Sequence, residues 1–419
     1  MNKLHDTNSV SHDASSVSHK GGEQMPIVLR FFRGSATALA ALTVFAAPTM
    51  AAFAVAGCQP NVAAPAANVT FSPMGYVVLV DGTIGVIDML KVEKVQEIKI
   101  GNYGVHQVAV LNDNRTIYTG NRNDNTIVKL TISADGKSFT QKSLGKSPVN
   151  LHLFAASPEG ADGQQRVVVT SRLELGDDEL AVFPSSGLDD TSIAIIDTKT
   201  DTIIKTLPLQ SPAMAAFPND GKHLYVNNVH NGSVSVIDTA TWTESARWNV
   251  SDTPIAALPN GKRTISPDGL DVSPDGKWVA TADYDLKTIT VWEAANSANK
   301  RKITLKDGEG LPHDVRFTPD SKQMWVTDYD KHPDPGKEAA NNNIKTHIRV
   351  FDVATLTQVK LIDAPRKVQR ISLPQYSKNA YFTTGVGGVL VLDRETGTLQ
   401  GEVVIGDVNR PVVCGMTSY

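Results

Sequence analysis

Residues Gly221 to Trp242 read GKHLYVNNVHNGSVSVIDTATW, and the fold follows from this stretch. A short apolar run, Leu224 to Val226, gives way to a polar turn, and a second run, Val234-Ser235-Val236-Ile237, alternates and closes on Asp238. Alternation over about five to seven residues is the two-residue period of a half-buried strand. The unit then recurs. It returns as DGKWVATADYDLKTITVWEAAN from Asp275, and as SKQMWVTDYD from Ser321, resumed by THIRVFDVATLTQVKLID from Thr346. Further copies start at Gly75, Arg115 and Lys378, and another runs RVVVTSR from Arg166 into TSIAIIDTKTDTIIKTL from Thr191. Each has a Pro/Asp/Gly turn, an apolar run, a polar turn and an alternating run, with a last short strand following. Seven such units of four strands, roughly 40–60 residues each, have the spacing of propeller blades. The expected fold is all-β: a seven-bladed β-propeller of four-stranded antiparallel blades over residues 68–419.

Composition agrees with a large closed architecture. The chain has 419 residues and a mass of 45.0 kDa, beyond the size of one ordinary core. Its 31 Gly and 22 Pro supply turns for many short strands. A formal net charge of −4 argues against a nucleic-acid binder, which needs a basic stripe to neutralise phosphates. With only Cys58 and Cys414, neither a disulfide scaffold nor a four-thiolate metal site can form. The acids closing the third strands (Asp88, Asp197, Asp238, Glu293, Asp352, Asp393) precede Thr- or Ala-rich turns, where a carboxylate accepts backbone N–H bonds; their expected role is structural.

The units resemble the YVTN-type β-propellers of bacteria and archaea, with Tyr225-Val226-Asn227 and the following Val234 to Asp238 as the clearest copy. Wider relatives in that resemblance include the haem-d1 domain of nitrite reductase, the heavy subunit of methylamine dehydrogenase and cytosolic lactonases. The fold alone therefore does not choose a function. The closing PVVCGMTSY is expected to pair into the first blade and join the two ends of the ring.

Residues 1–57 read as an address label. After a polar stretch over 1–24, Met25 reads as a start. Arg30 and Arg33 then precede an Ala-rich apolar run from Ser35 to Gly57, the order of a secretory signal. Val55-Ala56-Gly57-Cys58 resembles the lipobox of bacterial lipoproteins, which implies lipidation of Cys58, membrane contact through that lipid and a tether over 58–67. The alternative is plain cleavage at Ala52-Phe53-Ala54 or Ala54-Val55-Ala56, leaving Cys58 free for a disulfide with Cys414. Both readings export the chain, to the periplasm or beyond.

A blade meander places the starts of the first strands around the channel on one face. Aligned on their turns, the units put His106, Ala213, Asp268, His313 and Gln369 at that mouth, with Val149 or His152 in blade 3 and Val412 in the closing strand. Three long connections fall on the same face: Leu173 to Asp190, Ser251 to Pro267 and Lys331 to Lys345. Long loops gathered on one face shape a binding surface. The expected ligand-binding residues are His106, His152, Asp268, His313, Asp314, Gln369 and Arg370. His106 and His313 are the candidate metal ligands, since imidazole suits copper, zinc or iron; His347 and His332 flank the blade 6 connection and can add to them. Arg366, Lys367 and Arg370 form a basic group that either holds an anion or, for Arg370, salt-bridges into a neighbouring blade.

No G-x-S-x-G elbow, phosphate loop or Cys-x-x-Cys-His haem site is present. Any catalysis would draw on residues dispersed over several blades. The leading expectation is an exported platform that binds a periplasmic protein or small ligand on the loop-bearing face. The alternative is a periplasmic oxidoreductase or cofactor-handling protein with a transition metal or haem-like group at the channel, as the resemblance to the d1-haem and amine dehydrogenase propellers implies. Lactone hydrolysis, which the lactonase resemblance implies, sits badly with an export signal.

Overall fold

The computed structural model describes residues 73–102, 104–172, 191–252, 266–306, 310–330, 344–385, 387–406 and, as backbone, 412–417. They all belong to one compact unit, Ala66–Tyr419. The expected signal, tether and Cys58 lie outside them, as do residues 173–190, 253–265 and 331–343.

The described residues form twenty-eight strands, β1 to β28, in seven four-stranded antiparallel sheets and contain no helix. Blade 4 shows the pattern: β12 (Pro212–Ala216), β13 (His223–Asn228), β14 (Ser233–Asp238) and β15 (Thr243–Asn249) lie in that order from channel to rim. The two middle strands are buried nearly throughout, whereas β15 is largely exposed. That gradient explains the hydrophobic pattern of each unit, because both faces of a middle strand meet neighbouring blades. Core clusters bridge successive blades: Trp325, Val350, Phe382 and Leu390 join blades 6 and 7, and Ile87, Val389, Tyr381 and Val403 join blade 7 to blade 1.

The ring closes as the sequence implies. Strand β28 (Val412–Thr417) pairs antiparallel with β1 (Met74–Leu79) and becomes the innermost strand of blade 1. Val412 stands opposite Leu79, the place that Pro312 holds opposite Asp328 in blade 6. The mouth position of the closing strand therefore falls beyond Val412, because a bulge inserts extra residues there.

Asp88, Asp197, Asp238, Asp352 and Asp393 each accept backbone N–H bonds from the turn that follows, at 2.8–3.0 Å. Glu293 departs from this role. Its longer side chain reaches Asn299 Nδ2 at 2.6 Å on the rim strand.

The Asn of Tyr225-Val226-Asn227 joins one blade to the next. Asn227 takes the Met214 amide on its Oδ1 and donates from Nδ2 to the carbonyls of Pro267 and Asp268, each at 2.9 Å. In blades 3 and 6, Thr170 and Thr327 hold the same register and donate to the carbonyls of Ala213 (2.7 Å) and Gln369 (2.9 Å). The polar residue in this otherwise apolar strand thus satisfies a buried carbonyl of the adjoining blade.

Candidate functional site at the channel mouth

Seven inner strands surround the channel: β4 (Ala109–Val110), β8 (Leu153–Ala156), β12, β16 (Gly269–Val272), β20 (Leu311–Phe317), β24 (Val368–Ser372) and β28. Register fixes which residues share the mouth. His152 N bonds Thr170 O at 3.0 Å as Asp268 N bonds Ala282 O at 2.9 Å, so His152, not Val149, is the blade 3 member. His106, Ala213, His313 and Gln369 keep their expected places.

Asp268 is the hub. Its Oδ2 lies 3.1 Å from Arg370 Nη2 and 3.2 Å from His313 Nε2, and its Oδ1 lies 3.0 Å from Arg172 Nη1. Blades 3, 6 and 7 thereby converge on one carboxylate of blade 5. Burial by itself would raise the Asp268 pKa, but Arg370, His313, Arg172 and His152 outweigh it and hold the carboxyl well below its usual range. Asp314, fully buried, faces both Arg370 Nη1 and Arg316 Nη1 at 3.4 Å and accepts the Ile371 amide at 2.9 Å. Arg370 thus takes the salt-bridge role rather than standing ready for an anion. Gly269 holds the register place of Asp314, and only glycine fits: a Cβ there would meet His313 O at 2.8 Å and Asp314 Cα at 2.9 Å.

His313 is 16% exposed and packs on Tyr329, ring centroids 4.7 Å apart, with Tyr284 edge-on at 6.1 Å. Burial first, then the Arg370 guanidinium, push its pKa down to about 3 against the pull of Asp268. The imidazole is therefore neutral. With Nε2–H donating to Asp268, Nδ1 lies 3.2 Å from the Gln369 carbonyl, which Thr327 also reaches, and 3.3 Å from the Tyr329 hydroxyl, which donates to it in this tautomer. Across the mouth, His106 and His152 lie with ring centroids 4.3 Å apart, and His152 Nδ1 meets Ala213 O at 3.0 Å.

These surroundings bear on the metal expectation. Both ring nitrogens of His313 are engaged, and no group of three His, Cys, Asp or Glu side chains among the described residues is placed to hold a metal ion. In this arrangement His313 offers neither ring nitrogen to a metal or a haem iron. His347 is no loose loop ligand either: it lies in β22 (Thr346–Asp352), with Nδ1 2.8 Å from buried Asp328. His332 lies outside the described residues. Of the basic group, Arg366 turns outward to Glu402 at 3.1 Å, whereas buried Lys367 lies over the Tyr329 ring at 5.4 Å.

A second column of mouth residues escaped the sequence reading. The residue that ends or follows each second strand is Val80, Arg122, Arg172, Val229, Tyr284, Tyr329 or Gly385. Three of these reach the hub: Arg172 binds Asp268, and Tyr329 and Tyr284 pack on His313. The aligned repeats carry this signal, with Arg122 matching Arg172 and Tyr284 matching Tyr329, each directly after a polar residue (Asn121, Ser171, Asp283, Asp328).

The connections over 173–190, 253–265 and 331–343 join β9 (Arg166–Thr170) to β10 (Ser192–Asp197), β15 to β16, and β21 (Gln323–Tyr329) to β22. In an antiparallel meander all of these strand ends lie on the mouth face.

No family model matches the chain, and no curated protein matches it. Solved structures do. A functionally unknown protein from Desulfotomaculum acetoxidans DSM 771 is 15% identical with a TM-score of 0.57, over 83% of this chain and 99% of that one. The Dos1 propeller is 10% identical with a TM-score of 0.53, over 74% of this chain and 73% of that one. In all, 1543 chains match, so the likeness shows the fold and leaves function to the site.

Proposed function

We propose that this chain is an exported propeller of the YVTN type whose channel-mouth face binds a periplasmic protein or small ligand. It is held at a membrane by lipid on Cys58 or released by plain signal cleavage. The observation that carries the reading is positional: the hub of Asp268, His313, Arg172 and Arg370 sits on the face where the long connections join the blades. A network this closely tied gives a rigid floor, and long connections around it supply variable contacts. The N-terminal segment supports export through its order of Arg residues, apolar run and small residues.

The test uses cross-linking in cells that express the full chain. One variant replaces residues 173–190 by a short linker; the control alters the Asp135–Lys137 turn on the opposite face. A cross-linked partner lost only in the first variant supports the reading. A partner kept in the first and lost in the second assigns binding to the other face and ends it.

A further inference from the structure

We propose that the channel mouth binds a small carboxylate that also carries an O–H or N–H donor, with Arg172 taking the carboxylate and Gln369 the donor. The proposal rests on reading the mouth face as a binding surface and adds the ligand class.

Arg172 uses Nη1 on Asp268 Oδ1 at 3.0 Å, yet its Nε is enclosed and has no hydrogen-bond partner among the described residues. Nε belongs to the side edge of the guanidinium, whose parallel N–H groups match the two oxygens of a carboxylate. An enclosed guanidinium N–H without an acceptor is costly, so the site is complete only when an oxygen lies there. Gln369 presents the opposite need. Its Oε1 is also enclosed without a partner among the described residues, and an amide oxygen can only accept. Ser266 Oγ, two residues before Asp268, is a third such atom and serves either role.

These atoms belong to one neighbourhood. Arg172 reaches from blade 3 to Asp268 of blade 5, past Ala213, the small mouth side chain of blade 4. Gln369 shares the mouth register with Asp268 and His313, and its neighbour Arg370 binds the same Asp268. One unmet donor edge on a residue that binds Asp268, and one unmet acceptor next to a residue that binds the same carboxylate, specify an anionic oxygen pair together with an O–H or N–H. A carboxylate fits better than a phosphate, since Asp268 and Asp314 would repel a dianion more strongly than a monoanion.

Titration calorimetry on the full chain tests this with lactate, glycine, acetate and inorganic phosphate. Lactate or glycine should saturate and bind more tightly than acetate. Arg172→Lys keeps the charge but loses the side edge and should weaken binding about tenfold or more. Gln369→Leu should reduce lactate and glycine to the level of acetate. Circular dichroism of both variants confirms folding before titration. No saturable binding by the parent chain means that water alone completes these groups, and the proposal falls. Phosphate binding more tightly than every carboxylate, or binding unchanged in Arg172→Lys, also overturns it. The partner cross-linking result stands independently, so a mouth that takes a protein but no carboxylate removes only the ligand class.

Discussion

Arg370 Nη2 lies 3.1 Å from Asp268 Oδ2, although 102 residues of chain separate them and blade 6 stands between their blades. The contact passes over His313, whose carbonyl accepts from Arg370 Nη1 at 3.2 Å. One guanidinium thus ties three successive blades at the channel. Arg172 extends the tie to a fourth blade through Asp268 Oδ1.

Removing the hub charge should be severe. Asp268→Asn leaves Arg370, which is 3% exposed, and Arg172 without their shared carboxylate. Breaking one partner of such a buried set costs about 3–5 kcal/mol. Urea unfolding followed by tryptophan fluorescence should show the midpoint fall accordingly; a loss of under about 1 kcal/mol, the scale of an exposed pair, would contradict the hub assignment.

The histidine beside the hub predicts a pH slope. His313 titrates at about 3 in the folded chain against an ordinary 6.5. As pH falls through that window the unfolded chain takes up a proton that the folded chain refuses, so stability falls. Asp271 and Asp283 act oppositely: burial raises both to about 6 from 3.8, so the folded chain gains stability as pH falls from about 6 to 3.8. The difference between parent and His313→Gln isolates the histidine. Melting temperature should drop less steeply with falling pH in the variant, and parallel curves would show that His313 is not held neutral.

Asp283 itself gives a substitution pair. It accepts hydroxyls from Thr281 at 2.7 Å, Thr288 at 2.9 Å and Thr290, at the place where blade 4 uses Asn228 to hold Ser233 and Ser235. Asp283→Asn should therefore stay within about 1 kcal/mol of the parent, while Asp283→Ala strands the hydroxyls and costs about 1–3 kcal/mol. Equal losses in the two variants would refute this account of the site.

The blade-to-blade bond of Asn227 is testable in the same way. Asn227→Ala removes acceptor and donors that serve Met214, Pro267 and Asp268, and should cost about 2 kcal/mol or more. Asn227→Thr should recover part of that loss, because Thr170 and Thr327 make the equivalent bond in their blades. Chemical denaturation of both variants decides it.

Cys58 separates the two export readings. A lipoprotein labels with radioactive palmitate and loses the label in Cys58→Ser. A plain secreted chain carries no label, and only there can Cys58 pair with Cys414. Mass measurement of the mature chain, with and without reductant, distinguishes the outcomes.

The repeat by itself determined the blade count, the meander within each blade, the closure by the last strand and the mouth positions of His106, Asp268, His313 and Gln369. These are legible because they depend on local period and on register within one unit, which neighbouring residues carry. The sequence could not choose between Val149 and His152, nor locate the bulge that carries the closing strand past Val412, because both depend on pairing with a strand elsewhere in the chain. Only the closed ring decided that Arg370 and Arg172 meet on Asp268, that His313 has both nitrogens engaged, and that Asn227 serves the next blade. Side chains from different blades become neighbours through the curvature of the ring, and no periodicity within a blade records how far each one reaches across it.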